Sequence, residues 1–350
     1  MKSGGRYFMK SNLITFLLIL ISLTSYKNLI SLDSSASDDV NRPAASHSSD
    51  SLVTCDRSCL EDFVNQYLTA LVAHDPSILP LIKNVKYTEN GQRLKPGDGL
   101  WNTASDRGSY KLYIADPQQG QVGYFGTIRE NGVPAILALR LKVDNHIISE
   151  IETLVARDSI GAMRLEKLGN PHHVFLKNIP VSQRTSREEL INTANMYFTG
   201  LERNDGKGVY PFTDNCNRIE NGKQTTNHPS NNSKPFDIEA LGCKEQFETG
   251  FFRFVTRIRD RRFKVVDQER GLVLAFVFFD HTGNIHNVKL SNGMTVPISV
   301  IRPWTWEIAE LFKVENGLIR QIEAICQEVP YGMNSGWSSW EEGLSNQAGW

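Results

Sequence analysis

The 350-residue sequence predicts an α+β fold in which one unit, a helix followed by strands, is written twice. Three observations carry this reading. An amphipathic helix pattern occurs near residue 60 and again near residue 190. Tyr67 and Tyr197 lie within these helices, and Asp75 and Asp205 just after them, each pair 130 positions apart. A short strand running into a glycine turn, residues 84–91, recurs at 215–222 with Asn, Glu, Asn and Gly in the same places. Each unit closes on a hairpin with an Asn-containing turn, Asn145-His146 in the first and Asn316-Gly317 in the second. Asn-Gly suits a type I′ turn, in which both central residues need φ > 0.

In order, Leu60, Phe63, Val64, Tyr67, Leu68, Leu71 and Val72 form one apolar stripe at i, i+3, i+4, i+7 spacing. Asp56 or Ser58 can cap that helix, and Ser58 with Glu61 has capping-box spacing. The second helix starts at Ser186, with Glu189 completing a box and Leu190, Ile191, Ala194, Phe198 and Leu201 on its stripe. The two Glu-Asn-Gly segments read as turn chemistry first. Next come hairpins across 117–120 and 268–271, which place Asp116 and Asp267 at turn entries rather than in a catalytic carboxylate pair. In the last strands Leu137, Leu139, Leu141 and Val143 alternate with polar and small residues, as do Ile308, Glu310, Phe312 and Val314. Matching Val143 to Val314 sets Glu310 where the first copy has Leu139, so a carboxylate falls on an otherwise apolar face. The second copy carries two inserts, at 225–234 and 280–303, expected on the surface. Leu272 to Phe279 is apolar throughout and offers both faces for burial.

Composition narrows the class. A net charge of −1 gives no basic field for nucleic acid, and a 40% apolar fraction supports real cores. Lys2, Arg6 and Lys10 precede an apolar run over 13–23, the pattern of a secretory signal. No clean small-x-small cleavage site follows it, so an uncleaved N-terminal anchor stays open as the only membrane contact. The expectation is a secreted or periplasmic protein, with 1–30 as signal or anchor and a Ser-, Asp- and Ala-rich disordered tether over 31–54. Domains are expected at 55–157 and 185–330, joined by a linker at 158–184 and followed by an aromatic tail at 331–350. Trp337 and Trp340 in that tail are expected to be ordered against the body.

Five cysteines fit one or two disulfides and an odd thiol. Cys216–Cys243 is the expected bridge, although spacing alone leaves connectivity open. Cys55 and Cys59 sit at helical spacing with no histidine nearby in sequence, so no metal is expected. Asn231-Asn232-Ser233 is a glycosylation sequon for a eukaryotic host. There is no zinc spacing, nucleophile elbow or phosphate loop, and no cofactor is expected.

The order of elements, the opening helix ending at Asp75 or Asp205, and the closing Val-(Asp/Glu)-Asn-x-x-Ile-x-x-Ile-Glu hairpin resemble the nuclear transport factor 2-like, or SnoaL-like, superfamily. The stretch Tyr87-Thr88-Glu89-Asn90 is similar to a group of secreted microbial tandem proteins of unknown function. The resemblance covers nearly all of 55–330, twice. It implies two cone-shaped domains, each a curved antiparallel sheet wrapped on helices, whose mouth holds a small apolar molecule. Relatives include isomerases, cyclases, dehydratases and pure binding modules, so the fold does not choose among them. The superfamily's usual interior Asp is missing from both copies.

Two functions follow. The first is a secreted binding protein for a small, mostly apolar ligand, with Tyr87, Tyr113, Arg320 and Trp337 as candidate contacts. The second is an isomerase, dehydratase or cyclase working in the second copy, with Glu310 as acid or base and His286 or Arg218 steadying a developing oxyanion. A purely structural alternative pairs Glu310 with Arg320 across strands. A homodimer through exposed sheet faces is the expected assembly, if there is one.

Overall fold

A computed structural model describes residues 55–229 and 236–344. The first copy comprises α1 (Arg57–Val72), β1 (Leu81–Glu89), β2 (Gln92–Leu94), β3 (Ala104–Asp116), β4 (Gln121–Glu130), β5 (Val133–Asp144) and β6 (Ile147–Ala156). Two helices follow, α2 (Ser159–Leu168) and α3 (His173–Leu176). The second copy comprises α4 (Arg187–Arg203), β7 (Phe212–Glu220), β8 (Lys223–Gln224), α5 (Cys243–Glu248), β9 (Arg257–Asp267), β10 (Leu272–His281), the small hairpin β11 (Asn287–Lys289) and β12 (Thr295–Pro297), β13 (Trp304–Glu315) and β14 (Leu318–Val329). A short α6 (Trp340–Gly343) ends the described chain.

Two six-stranded sheets result, in the orders β2-β1-β6-β5-β4-β3 and β8-β7-β14-β13-β10-β9, which is the same topology twice. The sheets are mixed rather than wholly antiparallel. The closing strand of each meander returns beside the first strand and runs parallel to it, β6 to β1 and β14 to β7. A parallel neighbour is reached only by a crossover, which the meander provides.

Local chemistry explains the elements. Asp56 caps α1 by accepting from the Cys59 amide at 2.9 Å, and Ser186 with Glu189 forms the capping box of α4. The stripes of both helices pack into the hollow of their own sheet. The closing turns have both central residues left-handed, with φ of 50° and 60° at Asn145 and His146, and 51° and 74° at Asn316 and Gly317. The repeated Asn90 and Asn221 do more than turn the chain. Asn90 takes the Val155 amide at 2.7 Å and gives to its carbonyl at 3.1 Å. Asn221 does the same with Cys326, at 2.9 and 3.0 Å. Each side chain extends the parallel ladder past the end of its strand.

The backs of the two sheets face each other. Leu112, Ile114, Phe125, Ile136 and Leu154 of the first meet Val265, Leu272, Leu274, Phe276 and Leu311 of the second in one buried cluster. The apolar run of β10 is explained by this double burial. Val273, Ala275, Val277 and Phe279 face their own cone, while Leu272, Leu274 and Phe276 face the other copy. The sheet faces through which a homodimer was expected are therefore covered within one chain. Two reciprocal ion pairs tie the copies together. Arg57, at the start of α1, binds both Asp267 oxygens at 2.8 Å, and Arg187, at the start of α4, binds Asp116 at 2.6 Å. Each Asp also receives an amide of its own turn, from Gln119 and Arg270.

Several expectations need revision. The stretch expected as a linker holds α2, whose Ala162 and Leu165 enter the core between the sheets. In the first insert Thr225 and Thr226 are buried; Asn231 and its sequon lie outside the described residues, as do the N-terminal segment and tether. Asp280, expected at the start of the second insert, is instead the buried end of β10. It binds Arg257, Arg259 and Thr305. The rest of that insert forms the β11–β12 hairpin over a small core of Val288, Leu290, Val296 and Ile298.

The described part of the tail packs against the body, as expected. Trp337, half-buried, donates to Thr88 Oγ1 at 2.8 Å and lies under Lys86 and Arg140 of the first copy. Trp340 lies against Arg257 and Arg259 of the second. Cys216 and Cys243 are bonded as expected, with Cα atoms 5.8 Å apart; Cys55 and Cys59 form a second bridge, and Cys326 is free. No helix among the described residues is long and apolar enough to cross a membrane.

Candidate functional site

The first cone is filled. Tyr67 and Trp101, both fully buried, meet edge to face at 5.3 Å. Tyr87 is buried beside them and donates to Glu89 at 3.1 Å, while Glu89 also takes the Leu100 amide at 2.7 Å and Arg157 at 3.2 Å. Tyr87 and Glu89 thus have partners from the chain, while the Tyr67 hydroxyl and the Trp101 Nε1 are buried without one among the described residues. Tyr87 is a core residue, and Tyr113 donates to Asn65 of α1 at 2.9 Å. Neither lines the cavity of the second cone.

The second cone has the same frame and different contents. In the sheet ladder Leu139 stands opposite Thr153, and Thr153 opposite Glu89. Glu310 correspondingly stands opposite Ala324, and Ala324 opposite Glu220. Strand position thus equates Tyr87 with Arg218 and Leu139 with Glu310. A cavity of about 140 Å³ opens between them. Its walls include Leu201, Phe252, Phe254, Phe279, Trp306 and Ile308, and its polar groups are Tyr197, Arg218, Glu220, Thr225, Glu239, Gln246, Glu310 and the Cys326 thiol. The disulfide from Cys216 on β7 to Cys243 at the start of α5 holds the insert that supplies Gln246 and the phenylalanines.

Arg218 is fixed on all sides. It reaches Glu220 at 2.7 Å, Thr225 Oγ1 at 3.1 Å and Gln246 Oε1 at 2.7 Å. Gln246 is itself held by the carbonyls of Thr225 and Ile238. The guanidinium therefore stays charged despite burial, in a fixed orientation.

Glu310 is 2% exposed, and its Oε2 has no hydrogen-bond partner among the described residues. Burial pushes its carboxyl up to about 8, against the hydrogen bond from Tyr197 and the charge of Arg218, with Glu220 adding to the rise. At neutral pH it is mostly the protonated acid, with a proton to give into the cavity. Burial also raises the Tyr197 hydroxyl and the Cys326 thiol well above their ordinary ranges, so both stay protonated. The arrangement is one apolar chamber with a neutral acid, a phenol and a fixed cation along one side. It can hold an oxygen of a small molecule and exchange a proton with it.

The sequence-derived candidates divide. Glu310 and Arg218 come together. Arg320 does not join them. A ladder irregularity between Lys313 and Val314 intervenes, and Arg320 points to the Asn215 carbonyl on the outer side. His286 is exposed at the base of the β11–β12 hairpin, where its carbonyl takes the Ile298 amide at 2.8 Å, and it does not line the cavity. The histidine near the cavity wall is His281, stacked on Trp304 at 3.9 Å; burial lowers it to about 4 and leaves it neutral. Trp337 lies across the two copies and does not line the cavity. Tyr197, Gln246, the insert phenylalanines and Cys326 were missed. Tyr197 alone had a signal, being the repeat marker on the inner helix face; the insert has no counterpart from which a role could be read.

Residues 183–326 match the family described as Domain of unknown function (DUF8021), a span that includes every polar residue of the cavity. No curated protein matches the chain. Among solved structures, AusH from Aspergillus nidulans is 14% identical, covering 41% of this chain and 86% of that one with a TM-score of 0.26. AclR from Streptomyces galilaeus is 13% identical, covering 41% and 91%, with a TM-score of 0.25. A de novo designed protein with a curved β-sheet is 16% identical, covering 41% and 88%, with a TM-score of 0.24. The architecture is two cone-shaped α+β units set back to back, of which the second holds the cavity.

Proposed function

We propose that this is an exported protein whose second cone binds one small, mostly apolar molecule carrying a hydrogen-bond-accepting oxygen. The observation that carries the reading is the unpartnered Oε2 of Glu310, buried in a cavity whose remaining wall is aromatic and aliphatic side chains together with the fixed Arg218 cluster. A buried polar group without a partner is costly, and a site that keeps one is suited to a ligand that supplies it. About 140 Å³ is the volume of a single six-membered ring, comparable to apolar cavities that take up benzene. Export is supported by the basic and apolar N-terminal pattern and by the two disulfides. The test is calorimetric titration with phenol, cyclohexanone and benzene. Phenol and cyclohexanone should bind to the wild type more tightly than benzene, and Glu310→Leu should erase that preference. Equal affinity for all three in both proteins would refute it.

A second reading is favoured by one specific feature, the raised acid beside Tyr197 and Arg218. Those groups suit proton transfer next to a carbonyl, with Glu310 moving the proton and the two donors holding the oxyanion. Exchange of α-protons of a bound ketone for deuterium, absent in Glu310→Gln, would establish it. A bound ketone whose protons do not exchange would leave binding alone.

A further inference from the structure

Away from the cavity, Cys55 and Cys59 are bridged across the N-terminus of α1, one on each side of the capping Asp56. The corresponding turn of α4 is closed by the Ser186–Glu189 capping box, so the fold does not require a covalent bond there. Three further observations distinguish this bridge. His146, 87 positions away and exposed, sets Nδ1 3.6 Å from Cys59 Sγ. It is held there by the left-handed turn between β5 and β6, at φ 60°. Cys59 stands in the first turn of a 16-residue helix, where a negative charge is stabilised. Cys55, itself only 9% exposed, and the exposed His146 line a cleft of about 360 Å³, bounded by the 117–120 turn and Lys142, which is the side from which Cys55 is reached. We propose that Cys55–Cys59 is a thiol–disulfide exchange centre, with Cys55 as the sulfur attacked from the cleft, Cys59 as the leaving thiolate, and His146 as the group that stabilises it.

The step balances without an outside redox partner beyond the thiol itself. An incoming thiolate forms a bond to Cys55 Sγ, and the Cys55–Cys59 bond breaks. The electron pair leaves on Cys59 Sγ, beside the Nδ1 of His146, which can donate a hydrogen bond to it, and the helix N-terminus. A second thiolate then releases the mixed disulfide and leaves the dithiol, so the external thiols are oxidised as the bridge is reduced. Exchange is faster when the leaving thiolate is better stabilised, which is the role of the histidine. Asp56 opposes that role, since its carboxylate also faces the first turn of α1.

The test uses the full chain. Its two arms are glutathione and a reduced, unfolded polypeptide, which tell a small thiol from a protein thiol as the reactant. Under native conditions Cys55–Cys59 should open at least tenfold faster than Cys216–Cys243, followed by mass spectrometry of alkylated peptides. His146→Ala should slow that opening several-fold without lowering the melting temperature, and His146→Lys should restore part of the rate. Equal resistance of both bridges, or a rate unmoved by His146→Ala, would overturn the proposal. Stoichiometric capture of Zn²⁺ by the reduced protein through both thiols and His146, with no exchange in either arm, would overturn it in favour of a metal site.

Discussion

The two cones share a strand order, a helix and a set of repeated asparagines, yet one is solid and the other hollow. The difference lies at two linked positions. Where the first cone has Tyr87 and Leu139, the second has Arg218 and Glu310. A tyrosine and a leucine fill space and need one hydrogen bond between them, which Glu89 accepts. An arginine and a glutamate in the same places need several partners. The second cone meets the need for Arg218 with an insert, through Gln246 and Thr225, and leaves Glu310 half met. A fold that is stable with an apolar hollow thus carries a polar one only with additional chain around it, which fits the Cys216–Cys243 bridge falling in this copy.

The strongest way to break that comparison is Arg218→Leu. It removes the buried cation that holds Gln246, itself buried, and the half-buried Glu220, and should cost about 4 kcal/mol. Combining Arg218→Tyr with Glu310→Leu, which copies the first cone, should cost clearly less than either Arg218 variant alone; denaturant melts of the set measure the coupling. Next in size are the cross-copy pairs. Arg57→Ala and Arg187→Ala should each cost about 3 kcal/mol, because each leaves a buried Asp without its cation. A large inequality between them would break the equivalence of the copies. Replacing Cys216 and Cys243 by Ser should also cost about 3 kcal/mol for a loop of this length. Hydrogen exchange should then rise around α5 and the cavity while the first cone stays protected. Trp337→Ala should cost about 2 kcal/mol through the lost Thr88 hydrogen bond and the contacts with Lys86 and Arg140.

The smallest effect is the most informative. Glu310→Leu should raise stability by about 1 kcal/mol at neutral pH, since Leu139 shows that a leucine fits the frame. The sign with pH is fixed by the raised acid. With a folded value of about 8 against an ordinary carboxyl near 4.5, the protonated Glu310 contributes stability that is complete below pH 4.5 and is lost as pH rises toward 8. The slope from this one group is at most about 1.4 kcal/mol per pH unit. Buried Glu307, raised to about 8, and Glu323, raised to about 7, lie on the other face and slope the same way. The Glu310→Leu advantage should therefore grow from pH 5 to pH 8 in urea titrations while their contribution persists. A constant difference across that range would show that Glu310 is ionised or exposed.

Much of the frame could be read from sequence because it depends on local chemistry. Helix caps, Asn turns and strand alternation are short-range, and alternation correctly set Glu310 inside the cone with Ile308 and Phe312. The parallel pairing of first and last strands, the back-to-back sheets and the Arg218–Gln246 contact join distant segments, and periodicity carries no such information. Asp116 and Asp267 show the boundary well. Their turn role was legible at a range of three residues, while the arginines they bind lie 71 and 210 positions away. Arg320 and His286 failed for a related reason: an irregularity in one ladder and an insert without a counterpart shift what spacing implies.

The reciprocal arginine–aspartate pairs have a consequence for how the chain reaches its native state. Each cone's opening helix begins with a residue whose counter-charge belongs to the other cone, so neither half completes its own electrostatics alone. With an apolar seam between them, the halves should melt in one transition rather than two. The covalent connection then serves mainly to supply effective concentration during assembly. A single proteolytic nick at Arg184, an exposed residue between α3 and α4, should leave the two pieces associated and still closed around the cavity.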